Sequence, residues 1–155
     1  MMKKLLSAGL AVTLGVGAGY VLNAFAQQKP EVLVKQRQAA MTLQGKYFGP
    51  LNGMAQGKIP YDAKIVVRNA GYLQALSEMP WDGFTPATKD TPEKNRALPA
   101  IWEQPDKFKE AQERFQGAVS KLAAASKGGD EGNIKAAIGE TGKACGACHE
   151  NFRAK

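Results

Sequence analysis

The sequence is poor in the residues that most often carry chemistry. Its 155 residues include one histidine and two cysteines, too few for a structural zinc site, which needs four ligands. The formal net charge is +7, but the basic residues alternate with acidic ones and form no stripe interleaved with aromatics. We therefore expect no nucleic acid partner. No long stretch alternates polar and apolar residues as a half-buried strand does, so an all-α protein is expected.

The N-terminus has the composition of an export signal. Two lysines precede an apolar, uncharged run over residues 5–21, and Ala24-Phe25-Ala26 offers small residues to a signal peptidase. We predict a cleavable signal peptide of residues 1–26, cleavage after Ala26, and a periplasmic protein of residues 27–155. A retained membrane anchor is the alternative, but the run is shorter than the roughly 20 residues of a spanning helix. After signal removal we expect no membrane association.

Apolar residues recur at helical spacing in four segments of the remaining chain. We expect helices over about 30–54, 62–78, 105–128 and 130–152. The connection 79–102 contains four prolines, which predict a long crossover without helix. Four amphipathic helices with two short links and one long one are typical of an antiparallel four-helix bundle, whose sites lie in the core between facing helices.

The two cysteines and the histidine stand together as Cys145-Gly146-Ala147-Cys148-His149. On a helix the two cysteines share a face, so both thiols can meet the two vinyl groups of a haem. His149 lies four residues after Cys145, on nearly the same face, and can reach the iron. We predict one haem c, bound covalently through Cys145 and Cys148 with His149 as axial iron ligand. It would lie in the bundle core near the C-terminal helix.

Other interpretations of this motif are weaker. A thioredoxin-like redox pair needs a βαβ setting that this sequence does not offer. A disulfide between residues i and i+3 of a helix has poor geometry. Beyond the motif there is no further histidine or cysteine and no convincing pair of carboxylates, so we expect no catalytic site and no enzyme.

Three segments resemble the cytochrome c′ family, the class II c-type cytochromes: Lys35-Gln36-Arg37-Gln38-Ala39-Ala40-Met41, Pro80-Trp81-Asp82-Gly83-Phe84-Thr85-Pro86, and the motif with Glu150-Asn151-Phe152-Arg153. The resemblance covers essentially all of the chain after the signal peptide and implies a four-helix bundle. It implies a five-coordinate, high-spin haem iron with an apolar, hindered distal pocket. The partners it implies are nitric oxide, carbon monoxide, soluble redox proteins and a second copy of the chain, in a homodimer formed through the first two helices.

The resemblance also implies which residues form the haem pocket. Met41 matches the side chain over the open iron face, and Phe84 matches an aromatic that closes that face. Arg37 and Gln38 match positions beside a haem propionate, which would also explain an arginine on an inward helix stripe. Arg153 matches a position beside the proximal ligand. Both arginines can instead be ordinary solvated helix residues, and Arg153 also suits the dipole of the last helical turn.

Met41 leaves two functions open. In a related class II branch, a methionine on this helix binds the iron and makes a low-spin electron carrier, and a thioether is a known haem ligand. Methionine is also a common filler of cores. The segment from Pro80 to Phe84 resembles the high-spin members. We therefore expect a protein that binds nitric oxide and carbon monoxide and is capable of one-electron transfer. The alternative is a pure electron carrier with Met41 as sixth ligand.

Overall fold

The computed structural model describes residues 28–155, and the predicted signal peptide of residues 1–26 lies outside them. The described chain is all-α and the predicted four-helix bundle is confirmed, with a further one-turn helix before the third long helix. The helices are α1 (Pro30–Ala55), α2 (Ala63–Leu76), α3 (Ala100–Glu103), α4 (Pro105–Gly128) and α5 (Glu131–Phe152). None of the described helices is long and apolar enough to cross a membrane.

Short capped links make the long helices antiparallel neighbours. The Asp62 carboxylate accepts the backbone N–H groups of Lys64 and Ile65 at 2.8 and 3.1 Å, so α2 begins there. Gly129 ends α4 with a φ of 78°, a backbone conformation that glycine adopts without steric cost. One residue later Asp130 caps α5 by accepting the N–H of Asn133 at 2.7 Å. The α4–α5 hairpin that carries the motif therefore turns within two residues.

The core is one continuous apolar cluster contributed by the four long helices. Full burial of each aliphatic side chain in it stabilises the fold by roughly 1.5–3 kcal/mol. Its most buried large side chains are Leu51, Val66, Leu73, Val119, Leu122, Ile134 and Ile138.

The connection between α2 and α4 differs from the prediction of a helix-free crossover. It contains two 3₁₀ turns, Trp81–Phe84 and Pro86–Thr88, and the one-turn helix α3. Prolines stand where these short elements begin, at Pro80, Pro86 and Pro99. This is compatible with the structure because proline is tolerated in the first turn of a helix and is disfavoured in its interior. The end of α2 also lies earlier than predicted. The chain leaves it after Leu76 through turn hydrogen bonds that precede Pro80.

Candidate haem site

Two adjoining cavities lie between α1, the connection and the second half of α5. The outer cavity has a volume of about 520 Å³, and the inner cavity, about 210 Å³, continues toward the core. Met41, Trp81, Cys148 and His149 line both of them. All eight residues predicted from the sequence meet at this one place. Cys145 lines the inner cavity, and the outer cavity is bounded by Arg37, Gln38, Met41, Phe84, Cys148, His149 and Arg153.

The motif forms the α5 wall of this site. The two thiols are free and half-buried. Burial, with a smaller contribution from the neighbouring Cys148, raises the pKa of Cys145 to about 11, and burial also raises the pKa of Cys148. Both thiols are therefore protonated at neutral pH. Burial, and then the positive charge of Arg96, lower the pKa of His149. A neutral imidazole, the form that can bind a metal, is thereby favoured on this wall.

Arg37 lies on the opposite wall, in α1, and is only 3% exposed. Its guanidinium donates to the backbone oxygen of Gly83, to the Thr88 hydroxyl at 3.3 Å and to the Asn95 side-chain oxygen at 3.0 Å. Its Cζ atom also stands 4.5 Å from the centroid of the Phe84 ring. These partners are all neutral, and within residues 28–155 no carboxylate forms an ion pair with it. A buried cation at the cavity wall thus lacks a counter-ion.

Gly83 is the residue that lets the connection approach α1 so closely. A Cβ atom at this position would stand 2.6 Å from Arg37 Cβ and 2.8 Å from the backbone oxygen of Leu33. The next residue is held from the other side as well, because Trp102 donates its indole N–H to the backbone oxygens of Phe84 and Thr85 at 3.2 and 3.1 Å. Phe84 is therefore fixed in the cavity wall by contacts on both sides.

Aromatic rings next to Phe84 also line the outer cavity. The Phe84 and Phe108 rings lie 5.0 Å apart, and Phe108 lies 5.2 Å from Phe152, in both cases edge to face. Trp81 stands 6.2 Å from Phe84. Such pairs contribute about 0.5–1.5 kcal/mol each beyond the area they bury. These rings form an apolar cluster that lines the outer cavity from the connection to the end of α5.

Polar and cationic groups gather where the outer cavity opens. Gln38 donates to the backbone oxygen of Lys94 at 2.9 Å. The end of α5 is tied to the connection nearby by an isolated antiparallel bridge between Ala97 and Arg153, with the N–H of Ala154 donating to the oxygen of Arg96 at 2.8 Å. This bridge brings Arg153 and Arg96 to the cavity lining. The sequence did not indicate Arg96, because it reaches the site only through this long-range pairing.

The inner cavity is mainly apolar but contains polar side chains that the sequence did not identify. Phe48, Leu73 and Phe115 form much of its surface, with Gln44 and Thr141 among them. Gln44 stands three residues after Met41, so the helical period could have placed it on the same face. The apolar pocket expected from the resemblance is therefore interrupted by an amide.

These residues fit a haem. Aromatic and aliphatic walls suit a flat apolar macrocycle, and two thiols one turn apart with an imidazole beside them suit covalent attachment and iron ligation. The three arginines that line the outer cavity, Arg37, Arg96 and Arg153, suit two propionates, and Arg37 would gain the counter-ion that it lacks. Fold and site together define a class of protein: the four-helix bundle whose last helix presents a CxxCH motif to a core cavity.

Comparison with known proteins agrees with that class. The family model described as Cytochrome C' matches residues 32–153, and the chain belongs to the cytochrome c′ family. Members of this family are generally non-enzymatic haem c proteins of the periplasm.

Individual relatives align over most of their length. The chain is 45% identical to cytochrome c' of Rubrivivax gelatinosus over 83% of this chain and 98% of that protein. The crystal structure of that protein superimposes with a TM-score of 0.79 over 82% and 98% of the two chains. A nitric oxide complex of a mutant cytochrome c prime from Alcaligenes xylosoxidans is 41% identical, with a TM-score of 0.74 over 82% and 98%. A cytochrome c-554 of Cereibacter sphaeroides is 36% identical over 94% and 95%.

Proposed function

We propose that this chain is a periplasmic haem c protein that binds nitric oxide and carbon monoxide at a hindered distal site of a five-coordinate, high-spin iron. The observation that carries the proposal is the fixed aromatic wall. Phe84 is held at the cavity by the Arg37 guanidinium and the Trp102 indole, so the aromatic side of the space that His149 lines is not easily rearranged. Nitric oxide complexes solved for a relative support the same ligand class.

We propose the following roles for the site residues. Cys145 and Cys148 would hold one haem through thioether bonds, and the His149 imidazole would bind its iron. When bound, the haem supplies an iron that takes up a diatomic gas or a single electron. Met41 and Phe84 limit the space on the other side. Among the described residues no Asp or Glu lines either cavity, and the sequence has no second histidine, so we propose no catalytic turnover.

Three further residues would contribute to haem binding and not to gas binding: Arg37, Gln38 and Arg153. The buried charge of Arg37 has only neutral protein partners, and a propionate would give it a counter-ion, with Gln38 alongside. Arg153 would act beside the proximal ligand, since its backbone N–H donates to the backbone oxygen of His149 and it also lines the outer cavity.

We also propose that the protein is exported, cleaved after Ala26, and active as a homodimer through α1 and α2. Large apolar side chains on the outside of these two helices support the interface: Val32 and Leu43 on α1 are 41% and 39% exposed, and Val67 and Tyr72 on α2 are 45% and 47% exposed. Soluble redox proteins would be its electron-transfer partners.

The second candidate function is an electron carrier with Met41 as sixth iron ligand. The observation that favours it is that Met41 lines both cavities together with His149. In that case the thioether would occupy the coordination position that a gas needs.

The absorption spectrum of the reduced protein, with and without carbon monoxide, separates the two. We expect a broad, unsplit visible band that changes when carbon monoxide is added, and Met41→Ala should keep the spin state and speed gas binding. Sharp, split low-spin bands that disappear in Met41→Ala would establish the electron carrier instead. Met54→Ala is the matched control, because Met54 lies on the same helix, is 3% exposed and belongs to the apolar core cluster.

A further inference from the structure

The inner cavity contains a side chain to which the proposed function gives no role. Gln44 is only 8% exposed and lines this cavity together with Met41. The two residues stand three apart on α1 and therefore share a helix face. The helix α5, which carries His149, forms the other wall. A gas molecule on the side of the haem away from His149 would contact the wall formed by Met41 and Gln44.

The amide group of Gln44 has more hydrogen-bonding capacity than its protein contacts use. Its Nε2 atom donates to the backbone oxygen of Leu76 at 2.8 Å and so joins α1 to the end of α2. An amide nitrogen carries two N–H donors, and within the described part of the chain the second one has no acceptor. Buried donors are normally satisfied, because an unpaired one costs free energy. The second N–H is therefore available to a molecule in the cavity.

The other polar groups of the inner cavity are already engaged. The Thr141 hydroxyl donates to the backbone oxygen of Ala137 at 2.9 Å. The indole N–H of Trp81 donates to the backbone oxygen of Ser77 at 2.6 Å. The cysteines and the histidine of the motif are assigned to the haem. This leaves Gln44 as the side-chain donor for a ligand in this cavity.

We propose that Gln44 stabilises the diatomic gas held in the inner cavity by donating its second amide N–H to it. The inference rests on the proposed function and deepens it, since it makes the distal side polar at one point. A donor beside the outer oxygen of bound carbon monoxide stabilises negative charge there. The bond between carbon and oxygen is weakened as a result, and its stretching frequency falls.

The test is the vibrational spectrum of carbon monoxide bound to the reduced holoprotein. In Gln44→Leu the stretching frequency should rise, and carbon monoxide should dissociate about three- to ten-fold faster, the factor expected for the loss of one hydrogen bond. Gln44→Ala, which removes the amide without adding bulk, should shift the frequency in the same direction and serves if the leucine variant does not fold.

Asn69→Leu is the matched control. Asn69 is 1% exposed, donates to the backbone oxygen of Tyr47 at 3.1 Å and thus also joins α2 to α1, but it lines neither cavity. The Asn69→Leu variant should have a lower free energy of unfolding in urea, and the stretching frequency of bound carbon monoxide should not change. Equal frequencies in wild type and Gln44→Leu would overturn this inference and leave gas binding intact. A wild-type protein that does not bind carbon monoxide would overturn both.

Discussion

Replacing Gly83 by alanine tests whether the connection is held against α1 as tightly as the distances indicate. The added Cβ would stand 2.6 Å from Arg37 Cβ, 2.8 Å from the backbone oxygen of Leu33 and 2.9 Å from Arg37 Cδ. None of these atoms is the free end of a flexible side chain, so the backbone of the connection has to shift. Overpacking of this kind costs about 1–3 kcal/mol.

The shift would also disturb the contacts that position Phe84. The Arg37 guanidinium bonds to the oxygen of Gly83 itself, and its stacking on the Phe84 ring depends on the same approach. We therefore expect Gly83→Ala to lower the free energy of unfolding by about 1–3 kcal/mol in urea with an unchanged m-value. Carbon monoxide should also bind faster, because the aromatic wall is displaced.

Gly117→Ala is the control, and we expect it to change the free energy of unfolding in the opposite direction. Gly117 is exposed in the interior of α4, and a Cβ there meets nothing within 4 Å. Alanine at an exposed helix position stabilises by about 0.5–1 kcal/mol relative to glycine. If Gly83→Ala proved as stable as wild type and bound carbon monoxide at the same rate, the tight contact between the connection and α1 would not exist as described.

Covalent haem attachment predicts that the denatured wild-type protein keeps its haem on a gel and has the mass of residues 27–155 plus one haem. The double variant Cys145→Ala, Cys148→Ala should lose the haem. Extraction of the haem from the wild-type protein by acidic organic solvent would contradict this prediction. The homodimer predicts about twice the monomer mass in sedimentation at micromolar concentration. Tyr72→Glu, on the exposed face of α2, should shift the mass toward the monomer because a charge is buried in the interface. Ser120→Glu, on the exposed side of α4, should leave it unchanged.

The helices could be predicted from the sequence because their signals are local. Asp62 and Asp130 both cap the helices that the periodicity placed after them, and Gly129 ends α4 where its left-handed backbone is needed. The connection was harder to predict. Its short turns depend on docking against α1 and α4, which no window of neighbouring residues reports.

The residues of the candidate site also fall into those that could be predicted from the sequence and those that could not. Cys148 and His149 could be predicted from their residue types and spacing, and Met41 from the family resemblance, and all three line the same cavity. Two other contributions could not be read from spacing. Arg96 reaches the site through pairing with the end of α5, and the hydrogen-bond partners of Arg37 lie 46 to 58 residues away in the chain. Long-range contacts decide these roles, and one sequence does not encode them in a local pattern.

The buried guanidinium of Arg37 has a consequence for how the connection opens. Its hydrogen bonds, each worth roughly 1.5–3 kcal/mol for a charged donor, are lost if Gly83, Thr88 and Asn95 move away. The same movement returns a full positive charge to water, and the hydration regained offsets much of that loss. The segment that carries Phe84 is therefore held by a balance of two large and opposite free energies. An anion beside Arg37 would favour the state in which the connection is docked against α1. The guanidinium paired with that anion would gain less hydration when Gly83, Thr88 and Asn95 move away.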